Sequence, residues 1–123
     1  MTRSTGPDQG PLTPLSHAIL LSLGRREMHG YGIMKDVEEQ TEGRLRVGTG
    51  TLYAALQRMV AEGVIEGAPE IEDPEDARRR YYRITDHGRE VARTESLRLA
   101  RALEVARERD LGPAPGRLRP REG

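Results

Sequence analysis

The sequence predicts a mainly α domain with one small β-hairpin, an α+β fold. Three observations carry that reading. Apolar residues recur at helical spacing in separate stretches, capping residues and glycines punctuate those stretches, and two short β-type runs follow the third of them. At 123 residues the chain suits one domain, or one domain plus an extension. Its 20 Lys+Arg balance 20 Asp+Glu, so any affinity for a charged polymer must come from locally segregated charge. Hydrophobic residues make up only 35% and aromatics 3%, with no Trp and no Phe, and burial between subunits is the natural supplement to so thin a core. The absence of cysteine excludes a disulfide framework, a thiol nucleophile and a Cys-ligated metal. The longest apolar run, Ala18 to Leu21, is far too short to span a bilayer, and the opening MTRSTGPDQGP lacks the apolar centre of a secretory signal. A cytoplasmic protein without a membrane partner is expected.

Residues 1–11 read as a disordered lead-in, being Gly, Pro and polar. Thr13-Pro14 then starts the first helix, with a capping hydroxyl ahead of a proline at the first helical position. Leu15, Ala18, Ile19, Ser22 and Leu23 share one face, and Gly24 closes the run. A second helix opens at Gly30, with Tyr31, Met34, Val37 and Thr41 on one face, and stops at Gly43. Gly48-Thr49-Gly50 introduces a third. At ~100° per residue, Leu52, Leu56, Met59, Val60 and Gly63 gather on one side, whereas Gly50, Ala54, Gln57, Arg58 and Ala61 fall opposite. That outward face is small and polar with one long cation, unlike a solvated face crowded with Glu and Lys.

Val64-Ile65-Glu66 and Arg80-Tyr81-Tyr82-Arg83-Ile84 read as two strands around a long loop that carries Glu70, Glu72, Asp73, Glu75 and Asp76. Thr85 caps a last helix over 86–110. Along it Ala92, Leu99 and Ala106 repeat every seventh residue beside Ser96 and Leu103, a weak heptad stripe that needs a partner subunit to cover it. A Pro/Gly/Arg tail, 111–123, has nothing to bury and is expected to be disordered.

Three short helices, a hairpin and a long helix, in the order α-α-α-β-β-α, describe a winged helix-turn-helix over 12–85 followed by a dimerisation helix over 86–110. In that architecture the third helix enters the DNA major groove and the hairpin wing meets the flanking backbone. The chain resembles the PadR family of bacterial transcriptional regulators at three places. These are His29-Gly30-Tyr31-Gly32-Ile33, then Gly50-Thr51-Leu52-Tyr53 with Ala55-Leu56, Arg58 and Glu62-Gly63-Val64-Ile65, then Arg79-Arg80-Tyr81-Tyr82-Arg83-Ile84-Thr85 leading through Gly88. Two positions depart from the family's pattern: Thr49 and Ala54 stand where the family often carries proline, both at the start of the third helix. The resemblance implies a homodimeric repressor on an inverted-repeat operator in double-stranded DNA. It also implies release by a small aromatic or drug-like effector, which a chain so poor in Phe and Trp would hold at the dimer interface. The single terminal helix resembles the family's short-chain branch, which has no separate effector domain.

Within that frame Thr51, Ala54, Gln57 and Arg58 form the base-facing set. Arg pairs with guanine, Gln with adenine, and Ala or a Thr methyl touches thymine. Thr49, Gly50 and Tyr53 are expected at the DNA backbone; for Tyr53 the competing role is that of a half-buried packing residue with a wet tip. His29 and Gly30 precede the second helix, where the amides could hold a phosphate, or where His29 simply caps. Arg78, Arg79, Arg80 and Arg83 put four cations into six residues. They neutralise phosphates, or else they pair with the acidic loop. Strand alternation places Arg79, Tyr81 and Arg83 on one side, and Arg80, Tyr82 and Ile84 on the other, with Tyr82 and Ile84 in the core.

Ala92, Ser96, Leu99, Leu103 and Ala106 are the expected dimer contacts. No cofactor, metal site or catalytic residue is expected. The three histidines (His17, His29, His87) are scattered, the sole lysine is Lys35 among acidic neighbours, and neither a phosphate loop nor a GxSxG motif occurs. A winged-helix protein–protein adaptor without DNA binding is the alternative, suggested by the neutral charge and the acidic wing.

Overall fold

The computed structural model describes residues 12–71 and 79–116. The expected disordered lead-in, most of the Pro/Gly/Arg tail, most of the acidic loop and Arg78 lie outside the described residues. Among the described residues four α-helices surround a small antiparallel sheet: α1 (Pro14–Arg25), β1 (Met28–His29), α2 (Gly30–Gln40), α3 (Thr49–Ala61), β2 (Ile65–Gly67), β3 (Tyr81–Ile84) and α4 (Asp86–Glu108), with a 3₁₀ turn at Pro69–Ile71. The order is that of a winged helix-turn-helix with a long terminal helix.

Three of the helices begin on side chains that satisfy their open amides. Thr13 Oγ1 accepts from Ser16 N–H at 3.1 Å, His29 Nδ1 from Gly32 N–H at 3.2 Å, and Thr85 Oγ1 from Gly88 N–H at 2.9 Å. α3 differs, because it opens on Gly48 with no side-chain cap. It ends where Gly63 takes a positive φ of 80°, the left-handed turn that returns Val64 N–H to Met59 O at 3.2 Å.

The sheet departs from the expected hairpin. It has three strands in the order β1-β3-β2, with Met28 opposite Tyr82, His29 opposite Tyr81, and Ile65 opposite Ile84. Two residues flanked by helices carry too little periodicity to be read as a strand, so β1 exists only through its partner.

The core gathers Ala18, Ile19, Leu20 and Leu23 from α1, Ile33 and Val37 from α2, Leu52, Ala55, Leu56 and Met59 from α3, and Ile65 and Ile84 from the sheet. Tyr82 packs partly buried against it. Two positions expected on apolar faces lie outside: Tyr31 is 61% exposed and Val60 42% exposed. The buried arc of α3 is centred between Leu52 and Met59 and takes in Ala55, which leaves Val60 at its edge. Along α2, Ile33 and Val37 rather than Tyr31 face inward.

A polar seam joins α1 to α2. Ser22, fully buried, donates from Oγ to Asp36 Oδ2 at 2.7 Å and accepts from Gln40 Nε2 at 3.0 Å. Asp36 also receives Arg25 at 3.0 Å. α4 is fastened at two places. Its start sits on the turn before β2, where Thr85 N–H donates to Val64 O at 3.1 Å and Thr85 Oγ1 to Gly63 O at 2.7 Å. Further along, the buried Glu95 accepts from Leu12 N–H at 3.3 Å and from Arg98, which ties the entry of α1 to α4.

Candidate nucleic-acid interface

The outward side of α3 carries Gly50, Ala54, Gln57, Arg58 and Ala61, all exposed, as its periodicity predicts, and Thr49 and Thr51 in its first turn are exposed as well. With no side-chain cap, the first amides of α3 keep their donors open at a helix N-terminus, where the backbone dipole favours an anion. The four residues of the expected base-facing set do not sit identically. Arg58 Nη2 donates to Ser16 Oγ at 3.2 Å, and its Nε stands 3.9 Å from Glu62, so its head leans toward the first turn of α1. Thr51 lies on the same flank by helical phase. Gln57 lies on the opposite flank beside Tyr53 and Val60, toward the sheet.

Tyr53 is 39% exposed, and its ring end rests on Gly30. A Cβ built at Gly30 would come 2.1 Å from the Tyr53 hydroxyl oxygen. That contact explains the glycine: any side chain there would displace the tyrosine. Gly30 itself is buried, and the ring of His29 caps α2. His29 also stands opposite Tyr81 in the sheet, with the two rings edge-on at 5.2 Å between centroids. Tyr53, Gly30, His29 and Tyr81 therefore link α3, α2 and the wing strand in one contact chain. The sequence lists these residues but not their adjacency, which depends on β1 pairing with β3.

Among the wing cations, Arg83 is engaged by Glu66 at 3.1 Å and by Glu70 at 2.5 Å. The hydrogen bond with Arg83 holds the Glu70 carboxyl below the usual carboxylate range, and the same contact raises Arg83. Arg83 thus takes up the pairing with the acidic loop that competes with phosphate for it. Both groups are open to water, where such pairs contribute little, about 0–1 kcal/mol. Arg79 and Arg80 are exposed at the start of β3, and Arg80 pairs with no carboxylate among the described residues.

On α4 the expected dimer residues divide. Ala92 packs against the chain's own core, and Ser96 Oγ meets His17 Nε2 at 3.2 Å. Leu99 is 43% exposed, while Leu103 and Ala106 are half-buried. Leu97, outside the heptad stripe, is 71% exposed. It borders a groove between α1 and α4 with Leu20, Leu21 and Ala92 on its walls. No described helix is long and apolar enough to cross a membrane, and no cluster of three or more His, Asp or Glu among the described residues could hold a metal.

Comparison with known proteins agrees with this geometry. Residues 19–94 match the model of the transcriptional regulator PadR-like family. A curated relative, an uncharacterised protein of Lysinibacillus sphaericus, is 32% identical over 76 residues, which is 61% of this chain and 68% of that protein. A transcriptional regulator from Clostridium thermocellum is similar in structure with a TM-score of 0.65 at 27% identity, over 76% of this chain and 89% of that one. A PadR-like transcriptional regulator from Bacillus cereus gives 0.65 at 25% identity, over 80% and 93%. The fold, the three motifs and the family match over residues 19–94 together establish that this chain belongs to the PadR-like family of transcriptional regulators, which are DNA-binding regulators and not enzymes.

Proposed function

We propose that this protein is a homodimeric repressor in the cytoplasm that inserts the α3 face bearing Thr51, Ala54, Gln57 and Arg58 into successive major grooves of an inverted-repeat operator. The observation that carries the reading is α3 itself: an uncapped N-terminus and an exposed, small, polar face on a helix whose other side is buried. Around it, Thr49, Gly50, Tyr53, Arg79 and Arg80 meet the sugar–phosphate backbone and set the register without reading sequence. His29 and Gly30 act on that backbone indirectly, by holding Tyr53 and the wing in place. Arg78 joins the same basic set.

Dimerisation runs through α4, with Leu99, Leu103 and Ala106 at its centre, Ala92 and Ser96 at its edge, and α1 alongside. The exposed Leu97 and Leu99 on a helix of 23 residues support an apolar partner surface. Two-fold symmetry then requires a palindromic site with half-sites about one helical turn apart. A small aromatic or drug-like effector between the subunits releases DNA if it binds better to a dimer whose recognition helices have the wrong spacing.

The test is a footprint of the purified protein on DNA from upstream of its own gene, titrated against salt. A two-fold symmetric footprint with a steep salt slope is expected. Arg58→Ala should relax preference at one base pair. A folded dimer that binds no duplex even at low salt would overturn the reading in favour of a protein–protein adaptor.

A further inference from the structure

Arg58 stands on the outward face of α3, yet its guanidinium is turned back from that face. Nη2 donates to Ser16 Oγ at 3.2 Å, and Nε stands 3.9 Å from Glu62 one turn further along. Ser16 is only 5% exposed, so the hydroxyl that receives Arg58 belongs to the packed side of another helix. The two forks of a guanidinium, Nη1 with Nη2 and Nε with Nη2, share Nη2. Bidentate pairing with guanine O6 and N7 therefore draws that atom off Ser16.

The seat cannot follow it. Ser16 lies in the first turn of α1, and residues before and after it are fastened to α4. Leu12 N–H donates to the buried Glu95 at 3.3 Å, and His17 Nε2 meets Ser96 Oγ at 3.2 Å. Thr13 caps the same turn by accepting from Ser16 N–H at 3.1 Å. The arginine side chain, by contrast, has room to swing. It is 50% exposed, and its outward neighbours one turn either way are Ala54 and Ala61, both exposed and too short to obstruct a guanidinium. A fixed acceptor and a long cation with open space beside it give one residue two positions, one on α1 and one over the groove.

We propose that Ser16 is a positioning residue for DNA recognition: it holds Arg58 off the groove in the free protein, with Glu62 as a weaker second hold, and the preferred base pair must draw Arg58 away from both. The inference rests on the DNA-binding reading, with Arg58 as a base contact, and adds to it a cost of release. That cost falls on the sequence whose base Arg58 engages and on none where Arg58 stays on Ser16. The seat therefore lowers affinity for the preferred site relative to other DNA.

The experiment measures affinity by fluorescence anisotropy at fixed salt, on a duplex from upstream of the protein's own gene and on a scrambled duplex of the same composition. The proteins are wild type, Ser16→Ala, Glu62→Gln, Arg58→Ala and the double variant of Ser16→Ala with Arg58→Ala. Alanine at position 16 keeps the Thr13 cap, which uses the backbone N–H. Ser16→Ala should tighten binding to the upstream duplex by about two- to tenfold, the net worth of one hydrogen bond, and leave the scrambled duplex as it was. Glu62→Gln also removes a negative charge, so its gain on the scrambled duplex reports charge alone, and a further gain on the upstream duplex reports release. In the Arg58→Ala background, Ser16→Ala should change neither affinity. A serine that merely braced α3 in its reading position would give the opposite sign. A loss or no change on Ser16→Ala, an equal gain on both duplexes, or a gain that survives Arg58→Ala would overturn the seat while leaving the regulator reading intact. A wild type that binds neither duplex, or both alike, would overturn the sequence-reading role on which the seat rests.

Discussion

Replacing Gly88 with alanine tests how α4 is fastened to the winged domain. A Cβ at position 88 would stand 2.0 Å from the Val64 carbonyl oxygen and 2.9 Å from Ile84 Cγ1. Neither neighbour can yield easily. Val64 is buried, its N–H is bound to Met59 O at 3.2 Å, and its carbonyl receives Thr85 N–H at 3.1 Å. Relief needs a displacement of roughly 1 Å or more in a close-packed corner, so α4 must lift from the sheet. That stretches the two Thr85 bonds to Val64 and Gly63, worth about 1 kcal/mol each, and adds overpacking strain of about 1–3 kcal/mol. Alanine's better helix propensity offsets about 1 kcal/mol. The net expectation is a loss of about 2–4 kcal/mol, or roughly 6–20 °C in Tm for a chain of this size.

Thermal denaturation at fixed protein concentration reads it, since dimerisation makes Tm concentration-dependent. Gly24→Ala is the control: it lies in the last turn of α1 with nothing within 4 Å of a new Cβ, and it should be stabilised by about 0.5–1 kcal/mol. A Gly88→Ala protein that melts at or above wild type would refute the account of this corner.

Other expectations follow from the polar contacts and the exposed stripe. Ser22→Ala leaves Asp36 and Gln40 each short of a partner in the α1–α2 seam and should cost about 1–3 kcal/mol in chemical denaturation; an unchanged midpoint would show that the seam contributes nothing. Glu95, held below its ordinary value of 4.5 by Arg98 against the opposing effect of desolvation, binds its proton less readily folded than unfolded. Stability should therefore be fully present above about pH 4.5 and fall as pH drops through the lowered folded value, and Glu95→Gln should flatten that segment of the urea-midpoint profile. An identical acid profile in Glu95→Gln would place the acid sensitivity elsewhere. Changing Leu99 and Leu103 together to glutamate should yield monomers in analytical ultracentrifugation, whereas a persisting dimer would move the interface off this stripe.

Most of the architecture was legible in the order of residues. Thr13, His29 and Thr85 announce helix starts because a cap acts within three residues of itself, and the apolar arcs of α1 and α3 repeat within one turn. The exposed face of α3, and with it the family's motifs, is read from that same short-range periodicity. The strand β1 was not legible, nor was the exposure of Tyr31 and Val60, because a two-residue strand and the edge of an apolar arc are settled by what packs beside them.

What the sequence by itself determined is therefore the set of helices, their caps, the strands β2 and β3 and the side of α3 left open. Only the tertiary structure decided that Tyr53 lies on Gly30, that Gly88 abuts the Val64 carbonyl, that Arg83 is engaged by Glu66 and Glu70, and that Arg58 reaches Ser16. The physical reason is range. Caps and helical faces are energies between residues a few positions apart. Contacts between chain-distant groups exist only after sheet pairing and core packing have fixed the distance, and no local pattern encodes that distance.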